Sequence, residues 1–97
     1  MPAYFMVDIL EITDQAAMAD YRDRVGAVVA KFGGRYIVVG GPATVVEGEW
    51  PLAYPVIIEF PGMERAKAWY DSDDYRELKA LRLASARSNA VFLEGRG

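Results

Sequence analysis

The chain has 97 residues, and its composition excludes several classes of function before any motif is considered. Acidic residues outnumber basic ones by 14 to 11, giving a net charge of −3, so neither nucleic acid nor a membrane surface is expected as a partner, because both require a cationic face. The sequence contains no histidine and no cysteine, which removes the commonest metal ligands, the usual haem ligand, a thiol nucleophile and a Ser-His-Asp triad.

Only carboxylates remain as metal ligands, and no calcium-loop pattern accompanies them, so neither a metal nor another cofactor is expected. The N-terminal segment MPAYFMVDIL has no basic region before its apolar residues, and no apolar run approaches the ~20 residues that span a bilayer. We therefore expect a cytoplasmic protein that folds as one domain over residues 1–97, since this length supports one modest core.

The first predicted element is a strand from Ala3 to Glu11 whose two faces are both apolar, apart from Asp8. One face carries Phe5, Val7 and Ile9, and the other carries Tyr4, Met6 and Leu10. Because helices on one side of a sheet cover only one face, the second apolar face requires another partner.

A helix follows, and Thr13 and Asp14 are residue types that cap a helix N-terminus. Its apolar residues recur at spacings of three and four, which places them on one side of the helix. They are Met18, Tyr21, Val25, Val28, Val29 and Phe32. Gly26 interrupts this helix at a cost of ~1 kcal/mol relative to alanine, which reflects either a close approach to the sheet or a neutral substitution.

Two glycine pairs flank the next predicted strand, Arg35 to Val39. The preceding pair, Gly33-Gly34, sits where the C-cap of a helix requires a positive φ. The following pair, Gly40-Gly41, stands before Pro42 and predicts a bulge or a sharp bend, after which the strand resumes from Ala43 to Glu47. Neither pair fits a phosphate-binding loop pattern.

The remaining predicted elements complete a β-α-β-β-α-β order. They are a connection from Gly48 to Ala53, a strand from Tyr54 to Phe60, a short helix from Met63 to Tyr70, a helical piece from Asp73 to about Ala86 capped by Ser72, and a strand from Asn89 to Glu94. This order predicts a ferredoxin-like α+β fold, with one antiparallel sheet and helices on one side. We expect the open sheet face to meet a second copy, which makes the protein a homodimer.

Three segments, GGRYIVVGG, VIIEFPGMERAKAWYDSDDYRELKALR and VFLEG, resemble a bacterial family catalogued as domain of unknown function 1330. The resemblance covers essentially the whole chain, and its most specific part is Glu59-Phe60-Pro61 followed by Trp69-Tyr70-x-Ser72-x-x-Tyr75. Members often carry serine where this chain has Gly62. The resemblance implies the dimeric α/β-barrel fold with a sheet-to-sheet dimer, but no agreed activity. Relatives in that wider group include cofactor-independent monooxygenases of aromatic polyketides, small isomerases and haem enzymes. This chain has no histidine to match the axial ligand of the haem enzymes, so that branch is not expected.

Two carboxylates are candidate proton carriers. Asp8 interrupts an apolar strand, and Glu59 lies between Ile58 and Phe60 near the end of another. Because the first and third strands of this fold are antiparallel neighbours, the two carboxylates are cross-strand companions in one register and on opposite faces in another. A shared buried face would raise one pKa toward neutrality, whereas separate positions indicate ordinary ion pairs.

Arg35 and four aromatic residues are candidates for binding a substrate. Arg35 is suited either to gripping a carboxylate or enolate or to pairing with Glu59. The helical aromatics are suited either to a flat ligand or to the core; they are Tyr21, Trp69, Tyr70 and Tyr75. Lys79, Arg82 and Arg87 are suited to an anion patch, but the helix dipole is sufficient to explain cations near a helix C-terminus.

Two functions follow from these candidates. In the first, the protein is a cofactor-free enzyme of isomerase or monooxygenase type that acts on a small apolar or aromatic acid, with Asp8 or Glu59 as base and Arg35 holding the developing anion. In the second, it binds a metabolite, or only dimerises, without turnover. Any site is predicted beside Arg35, Glu59 and the bend from Trp69 to Tyr75.

Overall fold

The computed structural model of the chain describes residues 1–96. In chain order the elements are β1 (Ala3–Ile12), α1 (Gln15–Lys31), β2 (Arg35–Val39), β3 (Pro55–Phe60), α2 (Met63–Tyr70), α3 (Asp73–Ser85) and β4 (Ala86–Glu94). The four strands form one antiparallel sheet in the order β2-β3-β1-β4. This confirms the predicted ferredoxin-like α+β fold. The sheet is open, with β2 and β4 at its edges.

The helix boundaries follow the capping chemistry of the sequence. Asp14 caps α1 by accepting a hydrogen bond from the amide of Ala17 at 3.0 Å, and Ser72 caps α3 by accepting from the amide of Tyr75 at 3.1 Å. Gly33 has a φ of 80° directly after α1, as predicted for its C-terminal cap.

One predicted strand segment is wrong. Residues 43–47 form no strand, although they were expected to continue β2 beyond the glycine pair. These residues have no neighbouring strand to pair with. Val39 is the last paired residue of β2, and its partner Val56 is the second residue of β3, so β3 offers almost nothing beyond this pair. The intervening residues therefore form the loop between the two strands.

The helices cover one face of the sheet, and the core lies between them. From the strands it takes Phe5, Val7, Val56, Ile58 and Phe60, and from the helices Met18, Val29, Trp69, Tyr75 and Leu78. Within residues 1–96 no helix is long and apolar enough to cross a membrane.

The opposite sheet face, called the open face here, is defined by residues that pair across the strands: Tyr4, Met6, Asp8, Ile57, Glu59, Asn89, Val91 and Leu93. Val91 is 50% exposed, and its cross-strand partner Met6 is only half-buried. Helices pack on the other side, so these apolar side chains are left facing outward.

Candidate functional site

A cavity of about 330 Å³ lies between α1 and the helix-covered face of the sheet. Its walls are mainly apolar and come from β1, β3 and α1: Val7, Ile9, Met18, Val25, Val56 and Ile58. The exposed lining residues Arg22, Gly26 and Val39 place its mouth between α1 and the edge strand β2. Here α1 leaves a gap over the sheet instead of packing closely on it.

Gly26 lies beside this gap. A Cβ atom built at Gly26 meets no atom within 4 Å, so this glycine is not required by a close approach of the helix to the sheet. It borders the cavity mouth instead. Any larger residue at this position would extend into open space beside the mouth.

Three tyrosines are among the residues that line this apolar cavity: Tyr21 from α1, Tyr36 from β2 and Tyr54 from the loop before β3. The hydroxyl of Tyr21 is hydrogen-bonded to the hydroxyl of Tyr75 at 2.7 Å. Burial, followed by the nearby Tyr75, raises the pKa of Tyr21 well above its ordinary value. Burial likewise raises the pKa of Tyr36 to about 12. Both phenols therefore stay protonated at neutral pH and act as hydrogen-bond donors.

Arg82 on α3 also lines the cavity, and it is only 2% exposed. Its Nη1 donates to the hydroxyl of Ser88 at 2.9 Å, and its Nε donates to the hydroxyl of Tyr75 at a long 3.4 Å. Across residues 1–96, no carboxylate lies within ion-pair distance of this guanidinium. A buried charge of this kind is costly unless it is paired, so an unpaired guanidinium beside a cavity is unusual.

Tyr54 is held at the cavity by two contacts from outside it. Asp8, on the open face, accepts hydrogen bonds from the backbone amides of Ala53 and Tyr54 at 3.0 and 2.7 Å. Gly40, with a φ of 64°, lies against the ring of Tyr54, and a Cβ atom there would stand 2.2 Å from two ring carbons. Gly40 is therefore needed both for its positive φ and for the close approach of the Tyr54 ring, and this contact helps to position Tyr54 at the cavity.

The two candidate proton carriers lie far from this cavity and from each other. Tyr4 pairs with Glu59 and Asp8 pairs with Pro55, so both carboxylates point to the open face, four residues apart along β1. At about 3.4 Å per residue, this separates them by roughly 14 Å along the strand. Neither register considered from the sequence is found, because Asp8 and Glu59 are not cross-strand companions and yet lie on the same face. Neither lines the cavity between α1 and the sheet.

Arg35 and Glu59 form the alternative ion pair. Arg35 Nε donates to Glu59 Oε1 at 2.8 Å, the Tyr4 hydroxyl donates to Oε2 at 3.1 Å, and the Arg35 side chain is 74% exposed. The hydrogen bond from Arg35, and then that from Tyr4, lowers the pKa of Glu59. A carboxyl that exchanges protons near neutral pH requires a raised pKa, and Glu59 does not meet this condition. Binding of a substrate by this pair stays a prediction.

The predicted aromatic group divides between the core and the cavity. Trp69 and Tyr75 are fully buried, with ring centroids 4.3 Å apart, as the core interpretation predicted. Tyr70 packs on Phe5 and Phe92 and, like Trp69 and Tyr75, does not line the cavity. Tyr21 does line it, and Tyr75 reaches it only through the hydroxyl of Tyr21.

Sequence reasoning missed Arg82, Tyr36 and Tyr54 as cavity residues. A signal for Arg82 exists in the sequence: it stands four residues after Leu78 and seven after Tyr75, on the buried stripe of α3. An arginine in such a stripe departs from the apolar pattern, whereas the helix dipole alone accounts only for its position along the helix. Tyr36 and Tyr54 lie beside bends, and no periodic pattern distinguishes them.

The geometry can be compared with solved structures. A protein of unknown function from Rhodopseudomonas palustris has a TM-score of 0.75 and 18% identity, covering 99% of this chain and 83% of its own. A dimeric ferredoxin-like protein of unknown function from Jannaschia sp. CCS1 has a TM-score of 0.63 and 17% identity, covering 98% and 100%. The cofactor-independent oxygenase SnoaB from Streptomyces nogalater has a TM-score of 0.61 and 12% identity, covering 99% and 92%.

At these identities the likeness is one of fold. No curated protein matches the sequence. A family model does match it, over residues 2–96, which is nearly its whole length. The chain therefore belongs to the family named Domain of unknown function (DUF1330).

Proposed function

We propose that this protein binds a small, mainly apolar or aromatic molecule in the cavity between α1 and the sheet. The observation that carries this proposal is a cavity of about 330 Å³ with mainly apolar walls and three tyrosines in its lining. Ligand pockets have this composition and run from about 300 to 1,000 Å³, so the volume suits a ligand of one or two rings.

Cofactor-free catalysis on such a molecule, of isomerase or monooxygenase type, is the enzymatic form of this proposal. Two observations favour it: SnoaB, a cofactor-independent oxygenase, shares the fold, and neutral tyrosines that line an apolar cavity suit the stabilisation of a developing oxyanion. Binding without turnover is the alternative. Oxygen consumption and product analysis with the ligands that bind would separate the two, since turnover alone changes the ligand.

The binding proposal is tested with two variants of Gly26, the residue at the cavity mouth. Gly26→Phe places a ring in the open space beside the mouth, and Gly26→Ala is the matched control, since its Cβ meets nothing within 4 Å. We expect a thermal-shift screen of small aromatic compounds to find ligands for the wild type and for Gly26→Ala. Gly26→Phe should lose them while keeping its fold. Ligands that bind Gly26→Phe unchanged would place binding elsewhere.

We further propose that two copies of the chain associate through the open face. Its outward apolar side chains support this, as does the description of several proteins of the same fold as dimeric. Val91→Glu puts a charge on this face, and Leu83→Glu is a control on α3, where the leucine is 59% exposed. Sedimentation should give a dimer for the wild type and for Leu83→Glu, and a smaller species for Val91→Glu. A monomeric wild type would overturn the proposal.

A further inference from the structure

We propose that the molecule bound in this cavity is an anion, and that its charged oxygen is held by Arg82 and by the hydroxyl of Tyr21. The inference deepens the proposed function and rests on it. It names the chemical class of the ligand and transfers the anion-binding role, which the sequence suggested for Arg35, to a different arginine.

The directions of the hydrogen bonds leave a proton directed away from the tyrosine pair. Arg82 can only donate, so the oxygen of Tyr75 accepts from its Nε. Either hydroxyl of this 2.7 Å pair can donate, and we assign Tyr75 as the donor, because its proton, away from the cavity, would otherwise be buried without an acceptor. Tyr21 keeps its own proton, for which residues 1–96 provide no acceptor. Since Tyr21 lines the cavity, its hydroxyl can donate to a molecule inside it.

This arrangement strengthens the last donor. A positive charge at one end of a hydrogen-bonded chain polarises each hydroxyl along it, so the chain from Arg82 through Tyr75 to Tyr21 ends in a donor that prefers a negative acceptor. Tyr75 does not line the cavity itself, so it acts as a positioning residue that holds the hydroxyl of Tyr21.

The cost of burying Arg82 points to the same ligand. An arginine stays charged in proteins, and its burial without a counter-ion costs free energy that two hydroxyl partners offset only in part. Within the described part of the chain its partners are the neutral hydroxyls of Ser88 and Tyr75. A bound anion beside the guanidinium would supply the missing counter-charge. Such an uncompensated charge is typical of a binding group and is unfavourable for stability alone.

The charges around the cavity agree. Arg82 and Arg22 are the charged residues that line it, and the lining includes no aspartate or glutamate. This cationic site occurs in a chain whose net charge is −3, so its sign is opposite to that of the protein as a whole. Arg22 is exposed at the mouth, where it attracts anions.

The same lining restricts the ligand further. With no carboxylate or lysine lining the cavity, the protein offers no group there that removes a proton at neutral pH. The ligand therefore enters already ionised, as a carboxylate or as the anion of an acidic phenol or enol. Its remaining surface is apolar, because the walls are apolar, and its size is one or two rings. These features define the class as small aromatic or alicyclic acids.

Two pairs of probes test the charge. 2-Naphthoate and 2-naphthylmethanol share a ring system and differ in charge, and 4-nitrophenol is compared above and below its own pKa. Isothermal titration should show 2-naphthoate binding about 10- to 100-fold more tightly than the alcohol, the range of a charge-assisted hydrogen bond. Tighter binding of 4-nitrophenolate than of 4-nitrophenol would extend the class to phenols and enols. Equal affinities within both pairs would overturn the inference.

Variants then test the residues. Tyr21→Phe removes only the hydroxyl, and Arg82→Met keeps length and removes the charge. We expect both to weaken 2-naphthoate about 10- to 100-fold and to leave 2-naphthylmethanol nearly unchanged. Arg35→Met is the control on the open face and should alter neither affinity. Tyr75→Phe should also weaken only the anion, although it does not touch the ligand, whereas a merely structural role would weaken both probes together. Unchanged affinity in Tyr21→Phe would overturn the assignment.

Failure of the inference is distinguishable from failure of the proposed function. If both naphthalene probes bind equally and Gly26→Phe excludes both, the cavity binds small molecules but does not select anions. If neither naphthalene probe nor 4-nitrophenol binds the wild type, the inference is overturned, and the thermal-shift screen with the Gly26 variants then decides the binding function separately.

Discussion

Substitution of Gly40 by alanine should destabilise the protein and disturb the cavity at once. Two costs are expected. Gly40 has a φ of 64°, where an alanine costs about 1–2 kcal/mol. The new Cβ would also stand 2.2 Å from the ring of Tyr54, and the ring must move back by about 1.2 Å to reach ordinary contact at 3.4 Å. Overpacking of this kind costs about 1–3 kcal/mol. The total is a loss of roughly 2–5 kcal/mol.

Gly41→Ala is the matched control. A Cβ at Gly41 meets no atom within 4 Å, and its backbone does not have a positive φ. We expect Gly41→Ala to leave the free energy of unfolding unchanged, or to raise it by about 0.4–1 kcal/mol through the unfolded chain. Urea unfolding followed by tryptophan fluorescence measures both variants at one protein concentration, since association would make stability depend on concentration.

A double variant separates the two costs. Tyr54→Ala removes the ring that the new Cβ would strike, so Gly40→Ala should cost about 1–3 kcal/mol less in the Tyr54→Ala background, and backbone strain should remain. The reasoning is refuted if Gly40→Ala costs no more than Gly41→Ala. It is refuted in part if the double-variant cycle shows no coupling, since the loss would then come from the backbone alone.

Four further predictions follow from the site and its surroundings. Gly26→Ala should raise the free energy of unfolding by about 0.5–1 kcal/mol, because alanine favours the helix and its Cβ meets nothing; a loss in urea unfolding would contradict this. Arg82→Met should unfold with a free energy within about 1 kcal/mol of the wild type or above it, since it removes a buried charge without a carboxylate partner; a loss beyond 2 kcal/mol would show a structural role. The affinity for 2-naphthoate should stay constant from about pH 6 to 9, since the lining groups are arginines and tyrosines, and a step in titration calorimetry would show another titrating group. The pKa of Glu59 is lowered on folding from its ordinary 4.5, so its contribution to stability is present above that pH and lost as the pH falls through the lowered value; Glu59→Gln should therefore be less stable than the wild type at pH 7 but not at the acid end, and a constant difference would refute the linkage.

The fold could be derived from the sequence because its signals are local. The apolar spacings of α1, the cap residues Asp14 and Ser72 and the glycine after α1 each act within a few residues, and each appears in the structure as predicted. The two apolar faces of β1 likewise followed from alternation alone. The strand expected over residues 43–47 failed because a strand needs a neighbour, and no local pattern shows whether one is present.

The candidate site depends on relations that a linear pattern does not contain. Whether Asp8 lies opposite Glu59 depends on the pairing register of β1 and β3, which the strand order does not determine. In the structure Tyr4, four residues before Asp8, lies opposite Glu59. The cavity exists because α1 stands off the sheet beside Gly26, and the size of such a gap follows from the packing of all the helices together.

Arg82 shows the division most clearly. The sequence placed it near the C-terminus of α3, and by itself this was compatible with a cation that favours the helix end or with part of an anion patch. The tertiary structure decided among them, because it surrounds the guanidinium with hydroxyls instead of carboxylates and opens a cavity beside it. The physical reason is that the energy of a charge depends on the groups and the space around it. The cavity beside Arg82 is formed by β1, α1, β2 and β3, which are distant from α3 in sequence and adjacent to it only after folding.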